Sequence, residues 1–176
     1  MVKPETKKHK LGNHVFLTAE IGTNHMGSID IAKKIIDVAA DAGCDAVKFQ
    51  KKNVEKIYAK KFLDSPLESP WGTTQREMRL HREFNDKQFK QIDTHCKRKK
   101  IPWYASCWDI NSQISMRKFK TKYNKVASPM LVHKKLLEVI AEEKKYTFIG
   151  TGTVSYTHLR AHETLRYLVC RLLLEK

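Results

Sequence analysis

The chain has 176 residues, with 34 lysines and arginines against 19 acids, a formal net charge of +15, and 41% apolar and 30% charged residues. That composition excludes a disordered polymer and leaves enough length for one domain with a sizeable core. No apolar run reaches the 18 residues of a membrane span, and residues 1–10 lack the apolar region of a signal peptide, so the expected location is the cytoplasm, with no membrane partner.

Such a charge balance suits nucleic acid, an anionic small substrate or simply a basic surface. The lysines are spread along the chain and no segment resembles a known nucleic-acid module, so no nucleic-acid partner is expected; the alternative, a basic nucleic-acid-binding protein, would show salt-sensitive binding. Cys44, Cys96, Cys107 and Cys170 form no CxxC pair. Neither a disulfide scaffold nor a zinc knuckle follows, and a reducing compartment does.

Residues 1–14 read as a polar lead-in. An apolar strand is expected over 15–20, ending in Glu20, and a Gly/Asn/His-rich loop over 22–27. Ser28 can cap the next helix, whose Ala32, Ile35, Ile36 and Ala39 recur at helical spacing, and Gly43 can stop it. The second strand, 46–50, carries Lys48 and ends in Gln50. This is one β-α-β unit with polar residues at the C-terminal ends of both strands, the edge where α/β folds bind ligands.

Residues 51–74 hold Pro66, Pro70 and Gly72 with Tyr58, Phe62 and Trp71, and read as a long, partly helical loop. A helix over 75–82 follows. Phe84, Asn85 and Gln88 have the spacing of a staple residue and a capping box for a helix over 86–98 that buries Phe89, Ile92 and Cys96. A third strand over 102–107 leads through Ser106 and Cys107 to Trp108 and Asp109, and a helix over 110–119 comes next. The fourth strand is 125–127. Ser128 and Pro129 open a helix over 131–143 with Leu136, Leu137 and Ile140 inward, and the fifth strand, 146–149, precedes Gly150, Thr151 and Gly152. Repeated β-α units with tight helix-to-strand connections predict a parallel sheet.

Residues 154–176 break this rhythm. VSYTHLRAHET resembles the in-frame translation of a sequencing-library adapter, and YLVCRLLLEK resembles its remainder. The expected organisation is a lead-in over 1–14, a barrel segment over 15–153 and a non-native tail over 154–176, with Thr153 at the join.

An unpaired buried ammonium is expensive, so Lys48 must meet an anion at the strand end or pair with an acid such as Glu20. Glu20 is either an ion-pair or capping group, or an acid, base or ligand-positioning group. Asn24 and His25 share the first loop with two glycines. Ser106, Ser128 and Thr151 bring hydroxyls to successive strand ends, and Lys125 brings a second cation. Each hydroxyl alone could be a helix cap; together they suit a phosphate or carboxylate. Cys107 has no partner that would activate it, and no metal cluster can be assembled.

Residues 19–50, AEIGTNHMGSIDIAKKIIDVAADAGCDAVKFQ, resemble the opening of the sialic acid synthase family, and the likeness extends over 15–152, through Ala105-Ser106, Lys125-Val126-Ala127-Ser128 and Thr151-Gly152. The resemblance implies a (β/α)8 TIM barrel, here incomplete with about five βα units. It also implies condensation of phosphoenolpyruvate with N-acetylmannosamine or a related amino sugar to a nonulosonic acid, with release of phosphate. A divalent metal, Mn or Mg, would orient the sugar aldehyde in the intact parent, through histidines on later strands and none within this chain. A homodimer is open to the intact parent.

By motif, Glu20 would assist water addition or handling of the intermediate, and Lys48 and Lys125 would hold the phosphate and carboxylate of phosphoenolpyruvate. Ser106 and Ser128 would donate hydrogen bonds, and Asn24, His25 and Gln50 would shape the pocket. The chain departs from the family at Ala127-Ser128-Pro129-Met130, where Gly-Ser-Gly and an acid are common, and has Gly150 where a Ser or another small residue is common. Met130 cannot act as an acid, which leaves room for another phosphoenolpyruvate-using or aldolase-like barrel with a different acceptor. Five βα units leave open edges, so the 176-residue product is expected to be poorly soluble or partly unfolded, and without synthase activity.

Overall fold

The computed structural model describes residues 15–152. The lead-in and the adapter-like tail lie outside the described residues.

In chain order the elements are β1 (Thr18–Gly22), α1 (Ile29–Asp41), β2 (Ala46–Lys51), α2 (Val54–Ile57), α3 (Lys60–Leu63), β3 (Pro66–Ser69), β4 (Gly72–Thr74), α4 (Gln75–His81), α5 (Asp86–Arg98), β5 (Trp103–Cys107), α6 (Ile110–Met116), β6 (Tyr123–Val126), α7 (Lys134–Ala141) and β7 (Tyr146–Ile149). The main sheet has the order β1-β2-β5-β6-β7, and each adjacent pair is parallel. It is a five-stranded arc of a (β/α)8 barrel, with β1 and β7 at its edges.

The sheet separates two kinds of packing because successive side chains alternate faces. On the outer face Ile21, Val47, Phe49, Trp103, Ala105 and Cys107 meet Ala32, Ile36 and Ala39 of α1 and Phe89, Ile92 and Cys96 of α5. On the inner face Ala46, Tyr104 and Tyr123 join Phe16, Tyr146 and Phe148. Phe16, just before β1, stacks on Phe148 of β7 with ring centroids 5.7 Å apart. The two edge strands therefore face one another across the interior, and the sheet is curled.

The expected βα order holds, with local corrections. The first strand starts later than residue 15. The Leu17 amide donates to the Asp45 carboxylate at 2.7 Å and the Leu17 carbonyl accepts from the Asp45 amide at 2.8 Å, so this end is tied to the turn before β2. Residues 51–74 are not chiefly loop: they form α2, α3 and the antiparallel β3–β4 hairpin. Its turn requires Gly72, at φ +142°, where a Cβ would stand 2.4 Å from the Glu77 carboxylate. That carboxylate completes a capping box with Thr74 at the start of α4. Asn85 and Gln88 form the expected box at α5. Ser128 does not open α7. Residues Ser128–Met130 make a separate 3-10 turn with Pro129 in its first positions, and His133 caps α7 by accepting from the Leu136 amide.

Candidate functional site

The C-terminal edge of the sheet gathers most of the expected residues. Glu20 is level with Lys48 in the β1–β2 register, Gln50 with Ser106 between β2 and β5, and Ser106 with Lys125 between β5 and β6. In parallel strands such partners share a face, so these side chains rise from the inner face above the aromatic floor. The Lys48 ammonium, almost wholly buried, lies 2.6 Å from Glu20 Oε2 and donates to Ser106 Oγ at 3.1 Å. Glu20 is more than half exposed at the mouth of the site. The same dipeptide pattern, Val47-Lys48-Phe49-Gln50, sends Val47 and Phe49 into the outer core.

Lys125 has no hydrogen-bond or ion-pair partner among the described residues. Burial and the nearby positive charge of Lys48 lower its pKa, while Glu20 opposes them. A Cβ on Gly150 would stand 2.9 Å from Lys125 Nζ, so the bare glycine leaves that ammonium its space. Ser128 is exposed on the adjoining turn, and a Cβ on Gly152 would come within 3.2 Å of its Cβ. Thr151 lies between these two glycines. The arrangement offers one neutralised and one free cation, with hydroxyls beside them, to an anionic ligand.

The first βα loop divides its two candidates. Asn24 is exposed, and its side chain makes no hydrogen bond among the described residues. His25 is 2% exposed. Its ring stacks on Phe84 at 3.9 Å and its Nδ1 accepts from the Gly27 amide at 3.1 Å. Burial lowers its pKa to about 4, so the ring is neutral and works as packing behind the loop. Gln50 accepts from Lys52 Nζ at 3.3 Å, and its Nε2 lies 3.3 Å from where a Cβ on Gly22 would be.

Two groups at this edge, Lys52 and Glu83, escaped the sequence reading as site candidates, whereas Trp108 and Asp109 are expected from the sequence to shape the wall. Lys52 follows the Val-Lys-Phe-Gln strand directly, and its ammonium lies 4.9 Å over the Trp108 ring. Adjacency to that strand was the available signal. Glu83 accepts from the Lys52 amide at 3.2 Å, and burial raises its pKa to about 7. No local pattern marks Glu83, because its neighbours come from β2. Asp109 accepts from the Asn53 amide at 2.7 Å and the Ser112 hydroxyl at 2.6 Å, which pins the segment after β2 to the end of β5.

Met130, where the resemblance leads one to expect an acid, packs against the cluster of Val126, Leu136, Leu137 and Ile140. Cys107 is buried and its thiol pKa is pushed up; burial also raises that of Cys96 to about 12. Among the described residues no group of three or more His, Cys, Asp or Glu could hold a metal ion, and no helix is long and apolar enough to cross a membrane.

The sequence profile of the NeuB family matches residues 35–170, a span that continues into the segment 154–176. The N-acetylneuraminate-9-phosphate synthase of Drosophila melanogaster is 34% identical over 145 residues, which are 81% of this chain and 39% of that protein. The Homo sapiens protein of the same name is 32% identical over 147 residues, 82% of this chain and 41% of that one. The chain thus spans about two fifths of the length of these curated relatives. The crystal structure of the sialic acid synthetase from Leptospira borgpetersenii, in complex with citrate, superposes with a TM-score of 0.73 at 26% identity, over 87% of this chain and 50% of that one. On the matched span and the shared barrel architecture, the chain belongs to the NeuB family.

Proposed function

We propose that residues 15–153 are the N-terminal part of a cytoplasmic synthase barrel, and that 154–176 are a non-native tail. The intact enzyme joins phosphoenolpyruvate to N-acetylmannosamine or a related amino sugar. Carbon 3 of phosphoenolpyruvate bonds to the sugar's aldehyde carbon, water adds at carbon 2, and the carbon 2–oxygen bond breaks to release phosphate. One nonulosonic acid and one phosphate leave for each phosphoenolpyruvate, sugar and water consumed.

The observation that carries this reading is the unpartnered Lys125 beside the Glu20–Lys48–Ser106 cluster. Lys48 and Lys125 supply the two positive charges that a phosphate and a carboxylate need, and Ser106 and Ser128 supply donors. Fixed donors around an anion also stabilise charge that develops during reaction. Glu20, exposed at the mouth and held by Lys48, orients water at carbon 2 in this reading. Gln50, Asn24 and Thr151 complete the rim, and His25 supports it from behind. A divalent metal belongs to the family-level expectation; the described residues do not assemble ligands for one, and no step above passes through it.

The test begins with the gene. Reading the original DNA through codon 153 by an adapter-free method should give further βα units with histidines at strand ends. The full-length product should then release phosphate only when phosphoenolpyruvate and an amino sugar are both present. A genomic reading frame that reproduces VSYTHLRAHET and stops after Lys176 would contradict the proposal.

A further inference from the structure

The segment that follows β2 is tied down at three consecutive residues. The Trp108 amide donates to the Lys51 carbonyl at 3.0 Å, and the Lys51 ammonium donates to the Phe84 carbonyl at 2.7 Å. The Lys52 amide donates to Glu83 Oε2 at 3.2 Å, and the Asn53 amide to Asp109 Oδ2 at 2.7 Å. The two carboxylates that hold this segment are unlike. Asp109 has partners on both oxygens, since its Oδ1 accepts from the Ser112 amide at 2.8 Å. Glu83 Oε1 is buried with no partner among the described residues. The same is true of Trp108 Nε1, whose ring lies 4.9 Å from the Lys52 ammonium. Buried polar atoms are normally hydrogen-bonded, so a half-used carboxyl group is costly to keep.

Charge adds to that cost. Burial raises the pKa of Glu83 to about 7. The Lys52 amide and the ammoniums of Lys52 and Lys51 oppose the rise, and Asp109, at the end of β5, reinforces it. His25, stacked on the neighbouring Phe84, is neutral through this range, and the preceding Arg82 lies over the Trp71 ring. Ionising Glu83 therefore works against stability. What it holds is the reason to keep it.

That hold reaches the site. Lys52 Nζ donates to Gln50 Oε1 at 3.3 Å. A Cβ on Gly22 would stand 3.3 Å from Gln50 Nε2 and 3.2 Å from Glu20 Oε1, so the amide and the carboxylate meet over a bare glycine. Gln50 shares the inner face with Lys48 and lies two residues, about 7 Å, nearer the C-terminal edge. A second substrate reaches a ligand seated on Lys48 and Lys125 from that side.

We propose that Glu83 is a positioning residue: its carboxylate holds Lys52, and through Lys52 the Gln50 amide, in place for the amino-sugar acceptor. This rests on the synthase reading above. Full-length enzyme is assayed for phosphate release with phosphoenolpyruvate and N-acetylmannosamine from pH 6 to 8.5. In the wild type, KM for the sugar should fall about fivefold as pH rises through 7, because a charged carboxylate holds an amide more strongly than a neutral one. A phosphate group also titrates at about pH 6, equally in every variant, so ratios to wild type isolate Glu83. Glu83→Gln should match the wild type within twofold at pH 6 and lose the fall, with KM for phosphoenolpyruvate within twofold throughout. Glu83→Asp should keep part of the fall. Lys52→Met changes a half-buried side chain outside the apolar core, so the test does not depend on Glu83 variants folding. It should also remove the fall, and adding Glu83→Gln to it should change KM for the sugar by less than twofold. A fall that persists in Glu83→Gln or Lys52→Met, additive losses in the double variant, or an equal rise in both KM values overturns the assignment. Phosphate release that does not require the sugar overturns the synthase reading itself.

Discussion

The two faces of one sheet behave as different materials. On the outer face, Val47 and Phe49 are fully buried against α1 and α5 in a continuous apolar core. On the inner face, one residue out of step, Lys48 and Gln50 stand with Glu20, Ser106 and Lys125 over a floor of Tyr104, Tyr123 and Phe148. The outer face stores stability in burial. The inner face keeps an unpartnered cation whose charged form burial and Lys48 disfavour, and Phe148 and Tyr146 there are only half-buried. Alternation of side chains is enough to hold both functions in a four-residue run.

Substitutions in the full-length enzyme can break this contrast. The largest stability effect should come from Phe49→Ala, which opens a cavity between the sheet and α5 and should cost about 3–5 kcal/mol in urea unfolding. Phe148→Ala on the inner face should cost about 1–2 kcal/mol, because less apolar surface leaves water there. Equal costs would erase the distinction. Lys48→Met should reverse the pattern, with affinity for phosphoenolpyruvate falling about 100-fold, or about 2.7 kcal/mol. The unfolding midpoint should hardly move, since Glu20 is exposed and needs no partner.

His25 sharpens the comparison through pH. Its pKa is about 4 in the folded chain against an ordinary 6.5. Between those values the unfolded chain binds more protons, so the stability that depends on the neutral ring is complete above 6.5 and is lost as pH falls towards 4. The span is worth up to about 3 kcal/mol. Glu83 works oppositely: its pKa is raised from 4.5 to about 7, so its contribution to stability declines as pH rises through that window. The difference between wild type and His25→Phe isolates the histidine, and an unchanged slope from pH 6.5 to 4 would show that His25 is not buried as described. The smallest effect is local: Asn85→Ala removes one capping bond of α5 and should cost about 1 kcal/mol without touching ligand affinity.

Much of this was legible in the chain. Val47-Lys48-Phe49-Gln50 announces a strand with a lysine that needs an anion, and Lys48 does meet Glu20. Asn85 and Gln88 announce their capping box because its bonds join residues three apart. The β3–β4 hairpin was not legible, since Pro66 and Pro70 read as loop and only the packing of Glu77 under Gly72 fixes the turn. Ser128 looked like a helix cap, but the cap comes from His133 one turn later. Glu83 and the free state of Lys125 depend on neighbours from other strands, and no local pattern encodes them.

The central claim is that the inner-face edge of this sheet is an anion site built on Lys48 and Lys125. Calorimetric titration of phosphoenolpyruvate into full-length wild type and Lys125→Met tests it most directly. The account predicts binding to wild type that weakens with salt, and an affinity at least tenfold lower in Lys125→Met with the unfolding midpoint retained. Binding of phosphoenolpyruvate by Lys125→Met as tightly as by wild type would contradict it.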